Sequence, residues 1–197
     1  MHINSVSIIV GRRGSGKTDY GKESIMKLKL PKALIVDTYD ATGQPWRTME
    51  TYLHPEWKNI KTGVIEMDQL KRWRKGIYRA FSSNPKELIE KIDRSKVKNV
   101  CIVFEDATKY IYGKLSESVK NLVYDSKQRN LNIIFYYHSL AAVPLDLVRI
   151  ADFLVLHKTG DNIKNVKGRY PIDDLEEVFE FLKASDNQYE RVLIPLN

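Results

Sequence analysis

The chain carries one cysteine, Cys101, so no intrachain disulfide framework can hold it together. Stability must come from an apolar core, and 197 residues suffice to bury one. Cys101 lies inside an apolar run and reads as a buried structural thiol rather than a nucleophile. No apolar run approaches the length that spans a bilayer, and His2 to Val10 is too short for a secretory leader. The sequence therefore predicts a soluble domain without a transmembrane segment. Internal repeats, heptads and low-complexity tracts are lacking too. Acidic residues are in the minority, 25 against 32 Lys and Arg, which leaves a net charge of +7. That surplus favours encounters with polyanions without identifying one. Glycine is sparse, 10 in all, yet Gly11, Gly14 and Gly16 crowd into one stretch.

That stretch is GRRGSGKT, Gly11 to Thr18. An apolar run, Val6 to Val10, precedes it, and a helical segment, Asp19 to Lys29, follows. The pattern G-x-x-x-x-G-K-S/T in a strand–loop–helix context is that of a phosphate-binding loop. Backbone N–H groups along Gly11, Arg12, Arg13, Gly14, Ser15 and Gly16 cradle a phosphate chain, and the following helix start favours its charge. Lys17 reaches the β- and γ-phosphates, while Thr18 offers its hydroxyl oxygen to Mg²⁺. The loop predicts binding of ATP with Mg²⁺.

The remainder alternates strands and helices, which predicts an α/β fold with a mainly parallel central sheet, as one domain over 1–197. Strands are expected at Lys32–Asp37, Gly63–Met67, Ile77–Phe81, Ile133–Tyr137, Asp152–His157 and Val192–Ile194. Pro85 opens a helix with Leu88, Ile89 and Ile92 on one stripe, and Leu175, Val178, Phe179 and Leu182 mark another. Asp37 ends its strand where it would meet a ligand or order the next loop. Trp46, Tyr52 and Trp57 either anchor a long loop or stack on a base. Lys71, Arg72, Arg74 and Lys75 surround Trp73, a combination suited to phosphate neutralisation with stacking, or to a helix surface with Trp73 packed inward. These four cations are the candidate nucleic-acid contacts.

A second nucleotide signature is the apolar run Asn99 to Phe104 ending in Glu105-Asp106. One carboxylate would serve the Mg²⁺ shell and the other the attacking water. By order Glu105 takes the metal side with Thr18, and Asp106 the water side; aspartate before glutamate is more usual, so the two roles stand open to exchange. Thr108 to Tyr112 is expected to begin the surface beyond this strand. The strand Ile133–Tyr137 ends at His138-Ser139, either of which could sense phosphate. Nothing near Ser139 would activate it as a nucleophile.

In this order the motifs resemble the FtsK–HerA group of P-loop ATPases, in particular the compact genome-packaging ATPases of tailless, membrane-containing viruses. The resemblance is carried by Gly11–Thr18, Glu105-Asp106, Ser126–Phe135, Tyr137–Leu140 and Ile150–Leu156. It implies a RecA-like ATPase that assembles around or beside DNA as a ring and couples hydrolysis to translocation. It also implies a capsid or membrane-protein partner, and a place in the host cytoplasm or at the packaging vertex of a virion. Arg129 matches a family position for an arginine acting on a neighbour's γ-phosphate, with Arg149 and Arg169 behind it. Many members carry glutamine where this chain has His138. A small P-loop kinase and a non-hydrolysing, nucleotide-dependent phage assembly protein are the alternatives.

Overall fold

The computed structural model describes residues 4–28, 30–38 and 62–196; Lys29, Trp46, Tyr52 and Trp57 lie outside them. The strands are β1 (Val6–Val10), β2 (Lys32–Thr38), β3 (Thr62–Val64), β4 (Gly76–Ser82), β5 (Val100–Phe104), β6 (Leu131–Tyr137), β7 (Phe153–His157) and β8 (Arg191–Pro195). Helix α1 (Lys17–Leu28) follows β1 directly. Further helices run over Pro85–Ser95, Glu117–Tyr124, Ser126–Arg129, Leu145–Ile150 and Leu175–Ala184.

The strands form one sheet in the order β3-β4-β2-β5-β6-β1-β7-β8. Every neighbouring pair is parallel except β7 with β8. A parallel strand covered on both faces reads as a continuous apolar run, and β1, β5 and β6 are buried at every position. Successive side chains point to opposite faces. Ile8 and Val10 thus join one core cluster with Leu88, Val119, Leu147 and Leu182, while Ile9 joins another with Ile25 and Leu28 of α1. The architecture is the RecA-like, mainly parallel sheet between helices that the resemblance implies.

Local chemistry sets the element ends. Asn84 caps the helix Pro85–Ser95 by accepting from the Glu87 N–H (3.4 Å), and Pro85 supplies its first residue. The helix stops where Lys96 turns left-handed, with φ of 50°. Two expectations need correction. The strand foreseen at Gly63–Met67 is shorter and earlier, Thr62–Val64, and Met67 opens a single helical turn instead. The segment Thr108–Tyr112 does not simply begin the surface: Tyr110 and Ile111 are buried, and the Tyr110 hydroxyl donates to the Glu105 carbonyl (2.7 Å).

One consequence of the strand order matters most. Strand β6 lies between β1 and β5, so whatever follows Tyr137 stands between the phosphate loop and the acidic pair.

Candidate nucleotide site

Strand β1 ends in a loop strung between its two neighbours. The Gly11 N–H donates to the Tyr137 carbonyl (3.1 Å) and the Arg12 N–H to the Lys158 carbonyl (2.9 Å). Gly11 has no room for a side chain: a Cβ there would stand 2.5 Å from Ser15 Oγ and 2.7 Å from His157 Cβ. Gly16 turns the loop into α1 with φ of 83°, a conformation that favours glycine. Lys17 follows, only 9% exposed, and its ammonium donates to the carbonyls of Gly11 (2.5 Å) and Arg12 (2.9 Å). Burial lowers the Lys17 pKa, with the charges of Glu105 and Asp106 acting in the opposite sense. The ammonium is folded back on its own loop, making bonds that phosphate oxygens could replace.

Across β6 the acidic pair leaves the end of β5. The Glu105 N–H is fixed to the Val36 carbonyl (2.9 Å). Asp106 is left-handed, φ 52°, which aspartate tolerates better than most residues. Its carboxylate lies 2.9 Å from His138 Nε2 and pairs with Lys109 (2.6 Å). Lys17, Thr18, Glu105, Asp106 and His138 line one cavity of about 200 Å³, with Arg13 and Gly14 at its edge. These sequence-predicted residues, drawn from three strand ends, are brought together.

Others stand elsewhere. Ser15 is buried beneath the loop, its Oγ without a hydrogen-bond partner. Arg12 faces a separate cavity of about 530 Å³, shared with His157, Lys158 and Asp161. The Ser139 hydroxyl donates to Asp161 (2.5 Å), which also accepts the Leu140 N–H (2.7 Å), so Ser139 fixes a turn. Asp37 pairs with the buried Arg79 (2.9 Å). Arg129 is not at the site. It precedes β6, at the opposite end of the sheet from the loop, and is 4% exposed. Its guanidinium donates to Asp93 (3.2 Å) and to the Val97 carbonyl (3.1 Å), inside the subunit. Arg169 donates to the Ala141 carbonyl (2.5 Å), and Arg149 is exposed, 3.9 Å from Asp146. Lys71, Arg72, Arg74 and Lys75 are exposed, while Trp73 is buried with its indole N–H on the Lys75 carbonyl (2.9 Å). Of the two readings of that cluster, the indole packs inward and offers no stacking face.

Two residues beside the loop had no signal in the sequence. His157 is fully buried under it, edge-on to Tyr20 at 6.2 Å. Neither ring nitrogen completes a hydrogen bond, although the Ser15 backbone lies close enough to favour protonation weakly. Burial dominates, and with the charges of Arg191 and Lys17 it brings the His157 pKa down to about 4. The ring is therefore neutral. Tyr189, half-exposed, has its ring edge 3.0 Å from where a Gly16 Cβ would be. Both contacts depend on β7 lying beside β1 and β8 beside β7, which local periodicity does not disclose.

No protein-family model and no curated protein matches this chain. Solved structures do. The chain is similar to the genome packaging NTPase B204 from Sulfolobus turreted icosahedral virus 2 in complex with sulfate, with 15% identity and a TM-score of 0.73, over 100% of this chain and 94% of that one. The same protein in complex with ATPγS gives 12% identity and a TM-score of 0.70, over 98% and 92%. The DNA-packaging ATPase B204 from Sulfolobus turreted icosahedral virus gives 13% identity and 0.67, over 98% of each chain. At such identities the shared property is the fold, a RecA-like P-loop NTPase along almost the whole chain.

Proposed function

We propose that this chain is a Mg²⁺-dependent ATPase that drives DNA translocation, with the packaging of a viral genome into a capsid as its task. One observation carries the reading. A phosphate loop and an acidic pair, 87 residues apart in sequence from Thr18 to Glu105, line the same small cavity with His138 between them. The fold shared with B204, a genome packaging NTPase seen with sulfate and ATPγS, supports the same reading.

The residues present fit the nucleotide and its ion. Lys17 exchanges its two loop carbonyls for β- and γ-phosphate oxygens, a charge-assisted contact inside a partly desolvated site. Among the described residues, no group of three or more His, Cys, Asp or Glu side chains is placed to hold a metal ion. Such a sparse donor set matches Mg²⁺, which keeps several waters and binds through a few side chains plus substrate phosphates. Thr18 and Glu105 would hold it, and when bound it neutralises phosphate charge. Asp106, oriented by His138 and Lys109, is the carboxylate that aligns water and accepts its proton. Several copies closing into a ring would place these sites around one DNA path. The work would be done in the host cytoplasm or at a virion vertex, docked on a capsid or membrane protein. No helix among the described residues is long and apolar enough to cross a membrane.

The test is phosphate release with and without duplex DNA, alongside Glu105→Gln and Asp106→Asn, with the particle mass measured across protein concentration. DNA-stimulated release that both amides suppress, from an oligomer, is expected. Transfer of the phosphoryl group to another nucleotide would mean a kinase, and ATP-dependent assembly without turnover would mean a morphogenesis factor.

A further inference from the structure

The end of the sheet opposite the phosphate loop carries a second cationic site. Lys32 opens β2 and Lys98 stands just before β5, both at strand starts, whereas the loop leaves the end of the parallel strand β1. Seven residues of β2 separate the two ends by roughly 20 Å at about 3.3 Å per residue. Between the strand starts runs an open groove of about 390 Å³, lined by Lys32, Lys71, Arg74, Lys96 and Lys98. Among the described residues lining it there is no carboxylate. Lys96 is occupied by Asp93 (3.0 Å) and Asp125 (3.6 Å), which leaves four cations facing the groove without an acid among the described residues.

Lys32 sets this groove apart from a solvated basic patch. It is 9% exposed, and its ammonium lies 5.3 Å from the Trp73 ring centroid, with no carboxylate paired to it among the described residues. Burial, and then the positive charge of Arg74, lower its pKa. Burying an ammonium beside another cation is unfavourable, and one aromatic face offsets only part of that cost. An anion in the groove would relieve both effects at once.

We propose that this groove binds the phosphodiester backbone of duplex DNA, with Lys32 at its floor and Lys71, Arg74 and Lys98 around it. The choice of DNA rests on the reading of the chain as a DNA-moving ATPase; the choice of duplex comes from the groove itself. Recognition of single strands relies on bases stacking on aromatic rings. Among the described residues no aromatic lines the groove, and Trp73 beside it is buried under Lys32 and edge-on to Tyr78 at 5.5 Å, so these residues offer charge without a stacking platform. Backbone contact of this kind is indifferent to sequence and steeply salt-dependent. Nucleotide and DNA would then engage opposite ends of the same strands without competing.

The experiment is a titration of mixed-sequence duplex DNA, and of one of its strands alone, into the full-length protein at several salt concentrations. Three proteins are compared: the original, the groove variant Lys32→Met with Arg74→Gln and Lys98→Gln, and a control losing three exposed cations elsewhere, Lys114→Gln with Lys164→Gln and Lys183→Gln. Loss of three phosphate contacts should lower the log–log salt slope by about 2.7 in the groove variant, while the control keeps the original slope. ATP titration should be the same for all three. Arg74→Gln with Lys98→Gln alone, both at exposed positions, answers the question should Lys32→Met impair folding. Equal loss in groove variant and control, or no loss in the groove variant, overturns the groove, as does a single strand bound more tightly than duplex. Binding of inorganic pyrophosphate in place of DNA, read by its Lys32-dependent displacement, makes this a small-anion site and overturns the duplex. Failure of the original protein to bind DNA at low salt overturns the DNA-moving reading itself.

Discussion

Four buried cations among the described residues fall into two pairs. Arg79 is 1% exposed and Arg129 4%, and each is matched to a carboxylate, Asp37 at 2.9 Å and Asp93 at 3.2 Å. Lys17 and Lys32 have no such match: one lies on two backbone carbonyls and the other over an indole. The difference follows the chemistry of the side chains. A guanidinium presents a fixed fork that suits a carboxylate and holds two elements in register, as Arg79 does for β4 against β2. An ammonium is a point charge that can exchange one oxygen partner for another. The arginines join elements inside the subunit, whereas the lysines, one at each end of the sheet, are the cations that the two proposals assign to anions.

The comparison breaks most visibly on stability. Arg79→Met removes the buried cation paired with Asp37 and should destabilise the fold by about 3–5 kcal/mol in denaturant titration; Arg129→Met should cost less, because Lys96 stays 3.0 Å from Asp93. The protein that remains folded should bind ATP normally, because neither guanidinium reaches the loop. Arg129→Met also decides the role implied by family resemblance. Mixed with Lys17→Met, it should not restore hydrolysis; restored turnover in the mixture would return Arg129 to a neighbouring subunit's site.

Lys17→Met is the converse experiment. Removing the charge should reduce phosphate release by roughly 10²–10³-fold, the scale of losing one donor to a developing negative charge. Thermal stability should be unchanged or higher, since a partly desolvated ammonium goes with it. Parallel loss of stability and turnover would place Lys17 with the arginines and erase the distinction.

How much of this was legible beforehand depends on the range of the contacts. The loop Gly11–Thr18, the apolar strands and the acidic strand end are local patterns, and the mainly parallel sheet followed from their alternation. Pairing of β6 between β1 and β5 is not local. It decides that His138 meets Asp106, and that Ser139 is held by Asp161 instead. Arg129 illustrates the same point: it stands at the start of β6, and its pairing with Asp93 across 36 residues is not a local pattern. His157 was readable as a strand end, but its place under Gly11 requires β7 to lie beside β1.

His157 sharpens the contrast from the other side, as a buried base that avoids charge by giving up its proton. Its folded pKa, about 4, lies below the ordinary histidine value of 6.5. Between those values the unfolded chain binds a proton that the folded chain does not, so stability rises with pH through this window and is lost as pH falls. The whole shift corresponds to at most roughly 3 kcal/mol. His157→Gln cannot be protonated, and its stability should decline less between pH 6.5 and 4. Equal acid sensitivity would show that carboxylates, not His157, set the slope.

The smallest effect belongs to Lys32 at alkaline pH. Burial and Arg74 hold its folded pKa below the ordinary lysine value of 10.5. The unfolded chain then keeps a proton that the folded chain releases first, so stability contributed through this residue increases as pH rises between the folded pKa and 10.5. Lys32→Met lacks that gain. At neutral pH, free of anions, it should match or slightly exceed the original in thermal stability, because a desolvated charge has become a thioether of similar length. Approaching pH 10.5 the two proteins should draw together, and added duplex DNA at neutral pH should stabilise the original more than Lys32→Met. Lower stability of Lys32→Met throughout would mean that the contact with Trp73 is structural after all, and that Lys32 belongs with Arg79 and Arg129 rather than with Lys17.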